Sequence, residues 1–219
     1  MFRLLALLIG YAFGCIQSAY IAGKLIHGID IREHGSKNSG FTNANRVMGF
    51  KTGAWIFLAD MAKAIAAFLI ASLLFEGSGS FLADATNGLA PGAWAGIGAV
   101  LGHCFPILLK FRGGKGIAST VGLILMLDWR AAIIIYVIAI LLILATRYIS
   151  LASLVITLML PILMAVFGYG LEVIAITIAL GIVAWYMHRE NIHRLLTGTE
   201  RRFSFKKKPS DDKNPATNI

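Results

Sequence analysis

Six stretches of this chain are long and apolar enough to leave little choice of fold. They run over residues 4–25, 54–75, 88–109, 131–148, 151–168 and 171–187. A helix needs about 20 residues to cross the roughly 30 Å hydrocarbon core of a bilayer. Inside that core every backbone polar group must be satisfied within the protein, so a spanning apolar segment is a helix. Hydrophobic residues make up 58% of the 219, against about 45–50% in an ordinary soluble domain. The chain is therefore expected to be all-α, a polytopic membrane helix bundle. One integral membrane domain is expected over residues 1–203. A basic, polar, disordered cytoplasmic tail should follow over 204–219, where "KKKPSDDKNPATNI" offers little to bury.

The N-terminal "MFRLLALLIGYAFGC" has the look of a signal peptide, and "AFGC" that of a lipoprotein cleavage box. The apolar run continues past Cys15 to Leu25, and further spans follow, so a first transmembrane helix is the better reading. Cys15 and Cys104 both lie in apolar runs and read as packing residues. No Cys or His cluster has metal-ligand spacing, so neither a metal nor a cofactor is expected.

Charge sets the expected orientation. Cytoplasmic loops of membrane proteins are enriched in Lys and Arg. With the N-terminus outside and the C-terminus in the cytoplasm, only Arg3 and Arg130 of the 20 basic residues fall outside, and Lys63 lies within a span. The opposite orientation puts nearly all of them on the wrong side. This count requires residues 117–127 to cross as well, although 11 residues give only about 16 Å of helix. Seven transmembrane helices are thus expected, the fourth short. The outer loops, 76–87, 128–130 and 168–172, should be brief and mostly acidic.

Three polar clusters then fall on one face. The first, "GSKNSGFTNANR", crowds Ser36, Asn38, Thr42, Asn43 and Arg46 into a glycine-bearing loop. It reads either as a donor-rich ligand loop or as an ordinary loop capping a helix at Thr42 or Asn43. The second, "FRGGKG", is not a Walker A loop, because Leu109 occupies the first glycine position and Gly116 follows Lys115. Yet Gly113, Gly114 and Gly116 precede a helix, whose free N–H groups favour phosphate, and Lys115 adds a charge. A flexible basic inner loop would explain the glycines equally well. The third, "HRENIHRLLTGTERR", spaces His188, Asn191 and Arg194 by three, on one helical face. An amphipathic surface helix would explain Arg194, and less readily His188 and Asn191.

Two smaller features accompany these. Arg147 and Ser150 share an inner turn, and Asp60 and Lys63 stand at i, i+3 inside a span. An ion pair there marks either a functional site or a lock on helix packing.

In this order the segments resemble one family, the bacterial acylphosphate:glycerol-3-phosphate acyltransferases. "GSKNSGFTNANR" is similar to the family's first motif, "GHCFPILLKFRGGKGIAS" to its second and "HRENIHRLLTGTERR" to its third. "TRYISLAS" and the Asp60–Lys63 pair also match family positions. The likeness covers about residues 10–202. It departs at Phe41, where the family usually has Ala, at Arg112 for Lys, at Ser119 for Thr and at Ala64 for Gly.

The resemblance implies transfer of a fatty acyl group from acyl phosphate to the sn-1 hydroxyl of glycerol 3-phosphate, giving lysophosphatidic acid. It implies a monomer in the bacterial inner membrane, with the site facing the cytoplasm and no role for nucleic acid. Gly113, Gly114, Lys115 and Gly116, with Ser36 and Arg46, are expected to hold the acyl phosphate. His188, Asn191 and Arg194, with Arg147 and Ser150, are expected to hold glycerol 3-phosphate. Asn38, Thr42 and Asn43 should shape the first loop, and Glu200 should orient a cation or His188. The proton acceptor stays open among His188, His103 and the acceptor's own phosphate. A transporter of an anionic phosphorylated metabolite is the main rival, but the chain shows no inverted repeat.

Overall fold

A computed structural model describes residues 1–75 and 89–203. The expected outer loop at 76–87 and the tail at 204–219 lie outside the described residues. Among those described, every regular element is helical. The helices are α1 (Phe2–Gly14), α2 (Ser18–His27), α3 (Phe41–Met48), α4 (Phe50–Leu74), α5 (Ala90–Cys104), α6 (Ile117–Leu127), α7 (Trp129–Thr146), α8 (Ile149–Val166), α9 (Leu171–Met187) and α10 (Arg189–Leu196).

By length and apolarity, five segments can cross a membrane: α1 with α2, α4, α5 with the turn that follows it, α7 and α8. The α9–α10 pair, bent by 63°, makes a sixth if it counts as one span. Seven crossings therefore require the 11-residue α6 as well. The outward faces carry large apolar side chains such as Trp55, Leu73, Ile140, Leu144 and Ile182, all more than half exposed. No soluble protein would present such a continuous coat, whereas lipid tails solvate it.

Lipid removes the hydrophobic drive between helices, so close backbone packing has to hold them together. The α1–α5 seam is built for that. A Cβ on Gly10 would lie 1.8 Å from the Ala95 carbonyl oxygen, and one on Gly102 would lie 2.2 Å from that of Tyr11. Beyond the seam, α5 packs on α4, α6 and α9. Leu123 and Ile124 of α6, Ile135 of α7, Leu160 and Met164 of α8 and Leu180 of α9 form the main core.

Two breaks matter for function. The first span is interrupted between Gly14 and Ser18, which frees backbone carbonyls inside the bundle. The other is the bend at His188, which ends α9 and turns α10 across the end of the bundle.

Candidate active site

All three polar clusters meet at one end of the bundle. The first loop is organised by Asn43. Its Nδ2 donates to the carbonyls of Ile31, His34 and Asn38 at 3.2, 3.0 and 3.1 Å, and its Oδ1 accepts from the Ser36 N–H at 2.7 Å. The Asn43 side chain is thus committed to the loop backbone. The expectation of a cap at Thr42 or Asn43 is corrected: Gly40 caps α3, and both residues lie inside it. The reason is that the Asn43 side chain is spent on the preceding loop and caps no helix N–H, while Gly40 takes the extended backbone of a cap. Ser36 is exposed, while Asn38 and Thr42 are half-buried. Arg32 ties this loop to the second one, donating to the Leu109 carbonyl at 3.3 Å while paired with Asp30 at 2.8 Å.

The glycine loop differs from the open cradle that its sequence suggests. The Gly113 and Gly114 N–H groups donate to the Cys104 and His103 carbonyls at 3.3 and 3.0 Å, so in this conformation they are not offered to a ligand. These glycines permit close approach. A Cβ on Gly113 would meet the His103 carbonyl oxygen at 2.0 Å, and one on Gly114 would meet His103 Nε2 at 2.1 Å. Gly116, at φ +76°, starts α6 in the left-handed region, where an L side chain is strained. The α6 N-terminus, which no side chain caps, is a backbone feature of this loop that favours an anion.

The third cluster supplies a hub. Glu200, largely buried, accepts from Ser150 Oγ at 2.9 Å and Asn191 Nδ2 at 2.7 Å through one oxygen, and from Arg194 Nε at 2.8 Å through the other. Burial alone would raise the Glu200 carboxyl, but these donors outweigh it and hold it below its ordinary value. Lys115 reaches across from the glycine loop and donates to Asn191 Oδ1. Burial and the like charge of Arg194 push the Lys115 ammonium down to about 8. Arg46 comes within electrostatic range of Arg201, Glu200 and Arg194, and burial and Arg201 press against its charge. Its Nη1 is buried without a hydrogen-bond partner. Several cations thus crowd a buried carboxylate, with one buried donor unused.

His188 is buried at the α9–α10 bend, and its Nδ1 lies 2.8 Å from the Ala184 carbonyl. A carbonyl only accepts, so Nδ1 carries the hydrogen and Nε2 keeps its lone pair. His188 also lies close enough to Lys115 and Glu200 to feel both charges. Arg147 joins less closely. Its guanidinium is exposed, while its carbonyl accepts from the Phe203 N–H at 2.7 Å, which closes the segment after α10 over the site. Phe203 also meets Phe41 at 5.9 Å between ring centroids, and Phe41 meets Phe57 at 5.7 Å.

A fourth group, missed as a unit by sequence reasoning, lies beneath the glycine loop. Asp60 and Lys63 do pair, at 2.9 Å, and His103, Ser18 and Gln17 join them. These residues stand as much as 86 positions apart, so spacing gave no sign of the grouping.

The arrangement matches known proteins over nearly its whole length. A family model described as glycerol-3-phosphate acyltransferase matches residues 4–198. A glycerol-3-phosphate acyltransferase of Thermoanaerobacter sp. (strain X514) is 37% identical, over 94% of this chain and 98% of the relative. One of Halalkalibacterium halodurans is 41% identical, over 90% and 93%. The crystal structure of PlsY (YgiH), an integral membrane glycerol 3-phosphate acyltransferase, in its glycerol 3-phosphate form, superposes with a TM-score of 0.82 and 35% identity. That match covers 92% of this chain and 96% of the other. The lysophosphatidic acid form gives a TM-score of 0.79. By sequence and by fold, this chain belongs to the glycerol-3-phosphate acyltransferase family of integral membrane proteins.

Proposed function

We propose that this protein transfers a fatty acyl group from acyl phosphate to the sn-1 hydroxyl of glycerol 3-phosphate, giving lysophosphatidic acid and inorganic phosphate. The observation that carries the reading is the crowding of Lys115, Arg46 and Arg194 around Glu200 and Asn191. Two phosphates brought together need this excess of cationic donors, and a single structural ion pair does not.

An acyl phosphate is already activated, because its leaving group is phosphate. The protein has to hold two anions side by side and aim a hydroxyl at the carbonyl carbon. Orientation of this kind lowers a barrier by several kcal/mol, on the order of 7–11 at its best. Lys115, Arg46, Ser36 and the α6 N-terminus take the donor phosphate. Asn191, Arg194, Ser150, Arg147 and His188 take the acceptor. The bond between Lys115 and Asn191 makes the two seats neighbours. In the transfer, the hydroxyl oxygen bonds to the carbonyl carbon, and the bond from that carbon to the bridging phosphate oxygen breaks. Phosphate leaves with the electron pair, held by Lys115. The hydroxyl proton passes to His188 Nε2 or to an oxygen of the acceptor's phosphate. Ser150 and Ser18 donate to Glu200 and Asp60, but those carboxylates are already paired with Arg194 and Lys63, and among the described residues no serine or cysteine bonds a histidine, which supports direct transfer without an acyl-enzyme.

The protein works as a monomer in the bacterial inner membrane. The charge count supports an N-terminus outside and a site open to the cytoplasm. Purified protein given palmitoyl phosphate and glycerol 3-phosphate should form lysophosphatidic acid, and palmitoyl-CoA or acylated carrier protein should not replace the donor. Activity with a thioester alone would refute the donor assignment.

A further inference from the structure

His103 is buried, 3% exposed, between the break in the first span and the glycine loop. Its backbone carbonyl already joins the two, accepting from Gln17 Nε2 at 3.2 Å and from the Gly114 N–H at 3.0 Å. The ring does more. One edge faces Lys63, whose ammonium lies 3.0 Å from Nδ1. The same ammonium fills the break, donating to the Gly14 and Ile16 carbonyls at 3.1 and 2.7 Å, and pairs with Asp60 at 2.9 Å. Ser18 Oγ donates to the same Asp60 oxygen at 2.9 Å, and Ser119 Oγ to the Asp60 carbonyl at 3.0 Å. Lys63 is therefore held as a cation, among acceptors.

An ammonium has only donors. A hydrogen on His103 Nδ1 would point at those donors, and its alternative acceptor, Asp60 Oδ1, is 3.6 Å away, beyond hydrogen-bond range. Nδ1 is thus the bare nitrogen, and Nε2 carries the hydrogen. Nε2 is also the atom that lies against Gly114, one residue before Lys115.

We propose that Asp60 and Lys63 lock His103 in its Nε2–H form, and that this fixed ring positions the Gly113–Gly116 loop so that Lys115 meets the anionic substrate. His103 is then a positioning residue and is removed from the choice of proton acceptor. The buried ion pair is neither a transport site nor a mere packing lock: it sets the tautomer of a histidine beneath the phosphate seat. The kinetic part of this inference rests on the acyltransferase reading, and the tautomer part does not.

Two measurements test it on the full-length protein in detergent micelles. In nitrogen-15 histidine spectra, with the His103 signals identified by their loss in His103→Asn, the parent should show a bare Nδ1 and a protonated Nε2. Lys63→Met should lose that single form. An Nδ1–H ring or an imidazolium in the parent would overturn the proposal, whatever reaction the protein catalyses. In kinetics, Gln places its amide near the Nε2 position and Asn near Nδ1. His103→Gln should stay within about threefold of the parent. His103→Asn should raise the KM for a phosphate substrate about tenfold with kcat little changed. Whichever substrate's KM rises identifies the anion that the loop receives. Unchanged KM values in a folded His103→Asn protein would overturn the positioning role. So would equal losses in both variants that follow a lowered melting temperature. A parent inactive toward acyl phosphate would sink the acyltransferase reading and leave the spectra to decide the tautomer.

Discussion

The two ends of the bundle use the same residue types to opposite effect. At the end away from the site, charges close on one another. Glu172 receives Arg3 at 2.7 Å and the Trp94 indole N–H at 2.7 Å. Asp128 caps α7, pairs with Arg130 at 2.7 Å and receives the Tyr169 hydroxyl at 2.9 Å. At the site end, Lys115, Arg46, Arg194 and Arg201 gather near Glu200, and one buried guanidinium nitrogen has no partner. Balanced charge fastens helices together. Surplus charge of one sign is costly to the folded protein and persists where an anion completes it.

The sharpest way to break that contrast is to remove a charge from each end. Lys115→Ala should lower kcat/KM about 10²- to 10³-fold, as loss of a single charge-stabilising donor does, with the melting temperature nearly unchanged. Near-normal turnover in that variant would end the phosphate-seat reading. Glu172→Ala should do the reverse: a loss of about 1–3 kcal/mol of stability, from the stranded Arg3 and Trp94 donors, with kcat/KM of the folded protein intact. His188→Ala should fall next, raising the KM for glycerol 3-phosphate about tenfold or more. An effect confined to acyl phosphate would refute the division of the two seats.

A pH profile sharpens the same comparison. The Lys115 ammonium, pushed down to about 8 by burial and by Arg194, is the form that binds phosphate. It is present below that value and lost as pH rises through it. The kcat/KM of the free enzyme should therefore fall about tenfold per pH unit above roughly 8. Lys115→Arg, which stays charged at every accessible pH, should extend the plateau upward even if its maximum is lower. A parent profile that is flat to pH 10 would contradict a role for this ammonium.

Sequence made the membrane bundle legible because lipid imposes one simple demand, and 18-residue apolar runs meet it visibly. It also picked out the three polar segments, not singly, since each alone allowed an ordinary loop or surface helix, but through their common face and their order. It could not show which way the backbone turns at Gly113 and Gly114. Glycine patterns look alike whether the backbone opens to a ligand or closes on a neighbour, and only the His103 and Cys104 carbonyls above decide between them. It saw Asp60 with Lys63 because they are one helical turn apart. It considered His103 only as a base, since its place beside Lys63 depends on how α4 and α5 pack. The α1–α5 seam went unread, although Gly10 with Gly14 and Gly98 with Gly102 carry the small-residue spacing of close helix pairs.

The smallest expected effect belongs to Phe41, the bulkiest departure from the motif that the first loop resembles. Its ring bridges Phe57 on α4 and Phe203 beyond α10. Phe203 is also held through its N–H by the Arg147 carbonyl, and Glu200, three residues earlier, is held by Ser150, Asn191 and Arg194. The aromatic contact is thus one of several fastenings on the same segment. A ring pair contributes about 0.5–1.5 kcal/mol beyond its buried area. Phe41→Ala should therefore lower the melting temperature by a few degrees and change kcat/KM by no more than about threefold. Phe41→Leu, which keeps most of the apolar contact, should lie between the two. If Phe41→Ala instead cost as much as Lys115→Ala, the segment closing the site would depend on this ring rather than on Glu200. The excess of cations would then be held in place by packing, and the contrast between the two ends would need a different cause.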